Sequence, residues 1–310
     1  MQRMMLNDVA IDDTFAEAFG MRATGLILTA DTERWAHQAA VTMTGFATSV
    51  IGCGCEAGID RHLPPEETPD GRPGVRVLLF AVSTTELQKH LQIRVGQCVL
   101  TSPGSACYGD VGPADGEPLK LGSLLRYFGD GWQISKRFGG RQFWRIPVMD
   151  GEFVCEATTG LTKQAVGGGN LIILGRSRHN TLAAAEAAVE AINAVPDVIL
   201  PFPGGIARSG SKIGSKYKGL AASTNDAFCP TLKGAVKTAL DDDTASVLEI
   251  VIDGLTSQAV AAAMRAGLAA VVALGPEKGA TRVSAGNYGG KLGPHQYRLK
   301  DLLPDGLRPY

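Results

Sequence analysis

Glu249 is the only charged residue in the run VLEIVI at positions 247–252. A carboxyl held in an otherwise apolar strand faces either packed side chains or a cavity. In both places desolvation raises its proton affinity toward neutrality and makes it a candidate acid–base group. The competing reading is a strand-end glutamate tied to a nearby lysine. Upstream, PFPGGIARSGSKIGSKYKGLAASTNDAFCP fills positions 201–230 and sets Arg208, Lys212, Lys216 and Lys218 in a glycine- and serine-rich frame. Compact domains seldom carry so long a connection unless it binds something. Its backbone N–H groups and cations suit a small anionic ligand, with Arg208, Ser209 and Lys212 as contacts; solvated lysines are the plainer reading. Ser223, Asn225 and Asp226 form either a tight turn or a substrate-orienting set. A second glycine-rich loop, SAGNYGGKLG at 284–293, leaves a strand end and brings Asn287, unless it is a plain connection.

Familiar catalytic signatures are missing: the sequence has no HExxH, no GxSxG elbow and no GxGxxG after a strand. The stretch GSKIGSK lacks the phosphate-loop spacing, which argues against a nucleotide hydrolase. Cys53, Cys55 and His62 do not make a zinc pattern, so no metal is expected and the cysteines read as small apolar residues. Thirty basic against 31 acidic residues leave a net charge of −1 over 310 residues, so no global field attracts nucleic acid or a membrane surface. Recognition of charge must be local. Six scattered cysteines and an acidic, weakly apolar start lead to the expectation of a reducing cytoplasm. The apolar run 259–274 carries Arg265 and reads as a core helix.

The elements that must position these residues follow from apolar periodicity. Strands are expected at 24–30 and 47–51 around a helix capped by Asp31. A second pair at 75–82 and 97–101 flanks a helix with a Ser83/Glu86 capping box and a Leu87, Leu91, Val95 face. Beyond residue 165, a strand at 170–174 leads to a helix capped by Asn180 with a Leu182, Ala185, Val189, Ile192 stripe. The strand at 247–253, a helix from Thr256 and a strand at 282–285 complete a fourth unit. Two such units per half give an α/β (α+β) chain of two ferredoxin-like βαββαβ lobes. The expected division is an N-terminal lobe with a β-meander over residues 1–160 and a C-terminal lobe over 161–310. Asp150-Gly151 and Gly139-Gly140 mark hairpins of the meander.

Taken together, IDDTFAEAF at 11–19, EAGID at 56–60, PPEETPDGRPG at 64–74, PFPGGI at 201–206, ASTNDA at 222–227, EIVI at 249–252 and the 284–293 loop resemble the formylmethanofuran:tetrahydromethanopterin formyltransferases. The resemblance spans residues 8–303. It implies an enzyme of one-carbon metabolism, in the cytoplasm, moving a formyl group between N5 of tetrahydromethanopterin and the amine of a methanofuran or methylofuran carrier. These two are co-substrates, and no metal is implied. Glu249 falls on the family's catalytic glutamate. The resemblance also implies a homotetramer with clefts near subunit contacts. In its methylotroph form it implies association with other subunits of a formyltransferase/hydrolase complex, which the extension at 304–310 and the divergent 104–124 stretch would serve. A formamide hydrolase and a non-catalytic carrier-binding subunit are the alternatives.

Overall fold

Alternation in the Ser246–Gly254 strand sorts its side chains into two environments. The computed structural model describes residues 3–110, 115–291 and 293–303. In it, Ile250 and Ile252 join Leu171, Ile173 and Val283 in a core built against the helices Arg178–Asn193 and Ser257–Lys278. Val247 belongs instead to a small cluster with Ile172, Leu174, Phe228 and Leu240, on the face that carries no helix. A sheet with helices on one side leaves its other side to be covered by loop, and the connection between Ile199 and Ser246 does this.

The second lobe runs Thr162–Gly175, helix, Val198–Ile199, Ser246–Gly254, helix, Arg282–Ser284. Ser246–Gly254 lies between Val198–Ile199 and Thr162–Gly175, and Arg282–Ser284 flanks Thr162–Gly175 on its other side, all antiparallel. This is the split βαββαβ order expected for a ferredoxin-like lobe. The first lobe repeats it: Glu56–Leu63 pairs Gly74–Ala81, which pairs Phe15–Thr29, which pairs Ala106–Asp110, all antiparallel. Helices Glu33–Thr44 and Thr84–Arg94 cover one face of that sheet. Ile134–Phe138, Arg141–Val148 and Gly151–Glu156 form the expected meander, turning at Gly139-Gly140 and at Met149-Asp150, one residue before the expected Asp150-Gly151 because Gly151 already pairs with Val148; Gly151–Glu156 runs parallel to Ala106–Asp110.

Residues up to Gly20 belong with those from Val166 onward, and residues 21–165 form the other unit, so the expected 160/161 boundary misplaces the first segment. Ala10 and Ile11 pair in parallel with Arg282 and Val283, and Val9 and Ile11 are buried in the second lobe's core. The buried Arg282 guanidinium locks the arrangement, donating to Asp12 at 2.6 Å and to the Ala239 carbonyl at 2.8 Å.

Local readings fail where a long-range partner decides the outcome. The stretch 97–101 is not a strand: Val95–Val99 forms a single π-helical turn, with the Leu100 N–H donating to the Val95 carbonyl at 2.9 Å. Leu87, Leu91, Val95 and Val99 keep one helical face buried. Nor is 47–51 a strand; Val50–Cys53 is a helical turn, and the strand is Glu56–Leu63, whose polar residues hid it. Helix caps shift by a few residues. Thr32 caps in place of Asp31, which pairs with Arg72, and Ser177 caps in place of Asn180, whose own N–H it accepts. Leu182 is exposed, and Thr181, Ala184 and Ala188 take its side of the helix. The Ser83 cap is as expected. Among the described residues Ser257–Lys278 is the one helix long and apolar enough to cross a membrane, and it buries Val260, Met264, Leu268 and Val271 in the core. The 304–310 extension lies outside the described residues.

Candidate active site

The two lobes match in strand register as well as in topology. Glu249 sits opposite Ile172, seven residues before the Thr256 helix cap, while Ile172 lies five before the Ser177 cap. In the first lobe Arg76 sits opposite Ile27, seven before the Ser83 cap, and Ile27 lies five before the Thr32 cap. Arg76 is thus the first lobe's counterpart of Glu249. It is locked in place, its guanidinium bonded to Asp60 at 2.8 Å and to Asp110 at 2.7 Å. Only the second lobe leaves the position open for chemistry.

Glu249 is held by its backbone and released at its side chain. Its N–H donates to the Ala207 carbonyl at 2.9 Å and its carbonyl accepts from the Ala207 N–H at 2.8 Å. The carboxyl then stands on the helix-free face, in a cavity of about 370 Å³ that also meets Arg208, Ser209, Asn225 and Cys229. Burial pushes its pKa up to about 7. The strand-end ion pair does not form: Lys212 pairs with Asp226 at 2.7 Å. A carboxyl with a midpoint near neutrality can both give and take a proton at physiological pH.

The structure brings Glu249, Arg208, Ser209 and Asn225 together and leaves the other singled-out residues outside that cavity. Lys212 and Ser223 pair across a two-stranded ribbon, with the Ser223 hydroxyl donating to the Gly214 carbonyl at 2.7 Å. The Lys212 link lowers the pKa of Asp226. These three shape the covering segment. Lys216 and Lys218 are exposed on its outer turn. Asn287 donates to the Thr14 hydroxyl at 3.1 Å and accepts from the Gly289 N–H at 3.2 Å, so its amide ties its loop to the start of the Phe15–Thr29 strand.

Sequence reasoning missed the residues that order the two loops. Lys233 donates to the carbonyls of Asp241, Asp242 and Thr244 at 2.7–2.8 Å and ties down the far end of the covering segment. Glu17 and Asn170 hold the 284–293 loop. Glu17 accepts from the N–H groups of Tyr288, Gly290 and Gly293, and Asn170 from that of Gly286 at 2.6 Å. Glu17 gave the same signal as Glu249, a carboxylate in an apolar strand. Among the described residues no group of three or more His, Cys, Asp or Glu is placed to hold a metal ion.

A family model described as formylmethanofuran-tetrahydromethanopterin formyltransferase matches residues 4–148, and one described as the proximal lobe of the same family matches residues 151–302. The chain is 62% identical over 300 residues to the formylmethanofuran–tetrahydromethanopterin formyltransferase of Methylococcus capsulatus, covering 97% of this chain and 100% of the relative. It is similar to a chain of the formyltransferase/hydrolase complex of Methylorubrum extorquens solved with methylofuran, with a TM-score of 0.94, 56% identity and coverage of 98% and 99%. The Methanosarcina barkeri formyltransferase gives a TM-score of 0.90 at 44% identity, covering 96% of this chain and 100% of that one. With both lobes matched end to end, the chain belongs to the formylmethanofuran–tetrahydromethanopterin formyltransferase family.

Proposed function

We infer that this chain transfers a formyl group between N5 of tetrahydromethanopterin and the amine of a methanofuran-type carrier, with Glu249 as the acid–base group. The observation that carries the reading is the placing of the half-buried Glu249 carboxyl on the helix-free face, in a cavity shared with Arg208, Ser209 and Asn225, where desolvation raises its pKa to about 7. The acceptor nitrogen attacks the formamide carbon, a tetrahedral intermediate bears charge on its oxygen, and the C–N bond to the donor breaks as that nitrogen takes a proton. Protonated Glu249 supplies that proton, or a hydrogen bond to the intermediate, and the proton shed by the attacking nitrogen returns to the Glu249 carboxylate or passes to the departing nitrogen. Asn225, beside it in the cavity, holds the oxyanion. Arg208, exposed at the rim, orients the acidic tail of the carrier and turns a two-substrate encounter into a positioned reaction. Asn287, which donates to the Thr14 hydroxyl outside that cavity, is left out of the reacting set.

The assembly is a homotetramer, as the sequence resemblance implies, that associates with further subunits; the complex in which the Methylorubrum relative was solved supports the association with other subunits. Six free thiols support a reducing compartment. The test is a formyl-transfer assay on the purified chain with both carriers, run with and without added partner subunits. Transfer that requires the pterin acceptor supports the transferase. Release of formate without pterin would mean a hydrolase, and carrier binding without transfer a carrier-binding subunit.

A further inference from the structure

Asn225 lines the Glu249 cavity with a side chain that has no internal task. Among the described residues no hydrogen bond engages its amide, in contrast to that of Asn287. Its backbone is fixed instead. With φ −77° and ψ 79° Asn225 is the centre of an inverse γ-turn, closed by the Asp226 N–H donating to the Thr224 carbonyl at 2.9 Å. The Asn225 carbonyl accepts from the Phe228 N–H at 3.0 Å and from the Cys229 thiol at 3.3 Å. A thiol has one hydrogen, and with it given to Asn225 the sulfur is left to accept from the Thr224 hydroxyl at 3.4 Å. The chain of bonds therefore runs from Thr224 through Cys229 to Asn225.

All three residues of this chain of bonds line the cavity that holds Glu249. Gly210 approaches from the other arm of the covering segment: it has φ +57°, and a Cβ on it would lie 3.5 Å from the Asn225 Cβ. The two arms thus meet at Asn225. No helix or ladder sets the aim of this residue, so the direction of its Cα–Cβ bond follows the peptide plane that its carbonyl belongs to. Two donors on that carbonyl resist rotation of the plane where one would leave it loose. We propose that Cys229 is a positioning residue for the transfer: its thiol, bonded to the Asn225 carbonyl and steadied by the Thr224 hydroxyl, holds the γ-turn that presents the Asn225 amide to the oxyanion. A donor held in place before the reaction stabilises developing charge more than one that must first be ordered.

The proposal rests on the reading that Asn225 holds the oxyanion, and the experiment keeps the two apart. In the full chain, kcat and KM are measured for Asn225→Ala, Cys229→Ala, Cys229→Ser and the double variant Asn225→Ala/Cys229→Ala, with a melting curve for each. Asn225→Ala should lower kcat about a hundredfold, the scale of one oxyanion donor. Cys229→Ala should lower kcat by about tenfold, the scale of one net hydrogen bond, with KM little changed. Cys229→Ser keeps a donor for the same carbonyl and should recover most of that loss. Because the thiol acts through Asn225, the double variant should be no slower than Asn225→Ala alone. If Cys229→Ala does not fold, Thr224→Val, which removes the hydroxyl that steadies the thiol, takes its place in the same cycle. Losses that multiply in the double variant, an unchanged kcat in Cys229→Ala, or no recovery in Cys229→Ser overturns the proposal and leaves Asn225 in its role. A normal kcat in Asn225→Ala would end the oxyanion reading and the positioning role with it.

Discussion

A carboxyl whose midpoint is near 7 in the fold and near 4.5 in the open chain costs the folded state more when ionised than when protonated. Its penalty is absent below pH 4.5, grows as pH rises, and is complete above pH 7. The gap is at most about 3 kcal/mol, less as far as water reaches the cavity. Glu249→Gln should therefore melt higher than the unaltered chain at pH 8 and equally at pH 4, while turnover falls by about two orders of magnitude or more. Melting curves at both pH values and kcat at saturating substrates check it; near-normal turnover would remove Glu249 from the proton transfer. Arg208 offers a second residue-scale test. Exposed at the rim, it should act on KM when changed to alanine, with an effect that shrinks as salt screens charge over roughly 10 Å at 0.1 M. Lys212→Ala should matter less for binding, because that ammonium is already held by Asp226. A KM rise as large as that of Arg208→Ala would return Lys212 to the carrier site. Glu249 and Arg208 were legible because a charge in an apolar strand and an arginine between glycines each break a local rule. That Lys212 and Asn287 spend their polar groups on internal contacts was not, since residue type cannot tell a ligand contact from an internal hydrogen bond.

At the scale of elements, the same sheet position carries opposite solutions in the two lobes. Arg76, in the Gly74–Ala81 strand, is buried between Asp60 and Asp110, where the second lobe has the open Glu249. Breaking a buried ion network by removing one partner leaves uncompensated charge and costs about 3–5 kcal/mol. Arg76→Leu should lower denaturant stability by about that much, and Asp60→Asn by less, since an amide still accepts one bond from the guanidinium. Equal stability of Arg76→Leu and the unaltered chain in a urea titration would show that the triad contributes specificity and not stability. This network also explains why Glu56–Leu63 was hidden. Asp60 looks like a loop residue until Arg76, on the neighbouring strand, provides a partner, and the exposed Arg61 and His62 beside it mask the strand further. The βαββαβ order of both lobes was legible because their central strands and helices keep strong periods. Caps and short strands were not, because a serine or threonine one to three residues away satisfies the same helix terminus.

Across the whole molecule nearly equal numbers of acids and bases leave no long-range field, so assembly must come from apolar and local polar surface. The meander and the segment just before it supply such surface: Trp132 is 78% exposed, Phe138 81%, and Tyr127, Phe128, Ile134 and Met149 are also exposed. Apolar area covered on association stabilises by roughly 25 cal/mol per Å², so these side chains are the surface through which the proposed tetramer would close. Each lobe has its own core, so separating subunits should not unfold them. A cleft near subunit contacts, as proposed for the tetramer, would then lose activity on dilution before secondary structure changes. The check is light scattering and transfer rate across one dilution series, with circular dichroism at each point. Activity falling with the oligomer at constant ellipticity is the expected outcome, and a fully active monomer would sink both the assembly and the shared cleft.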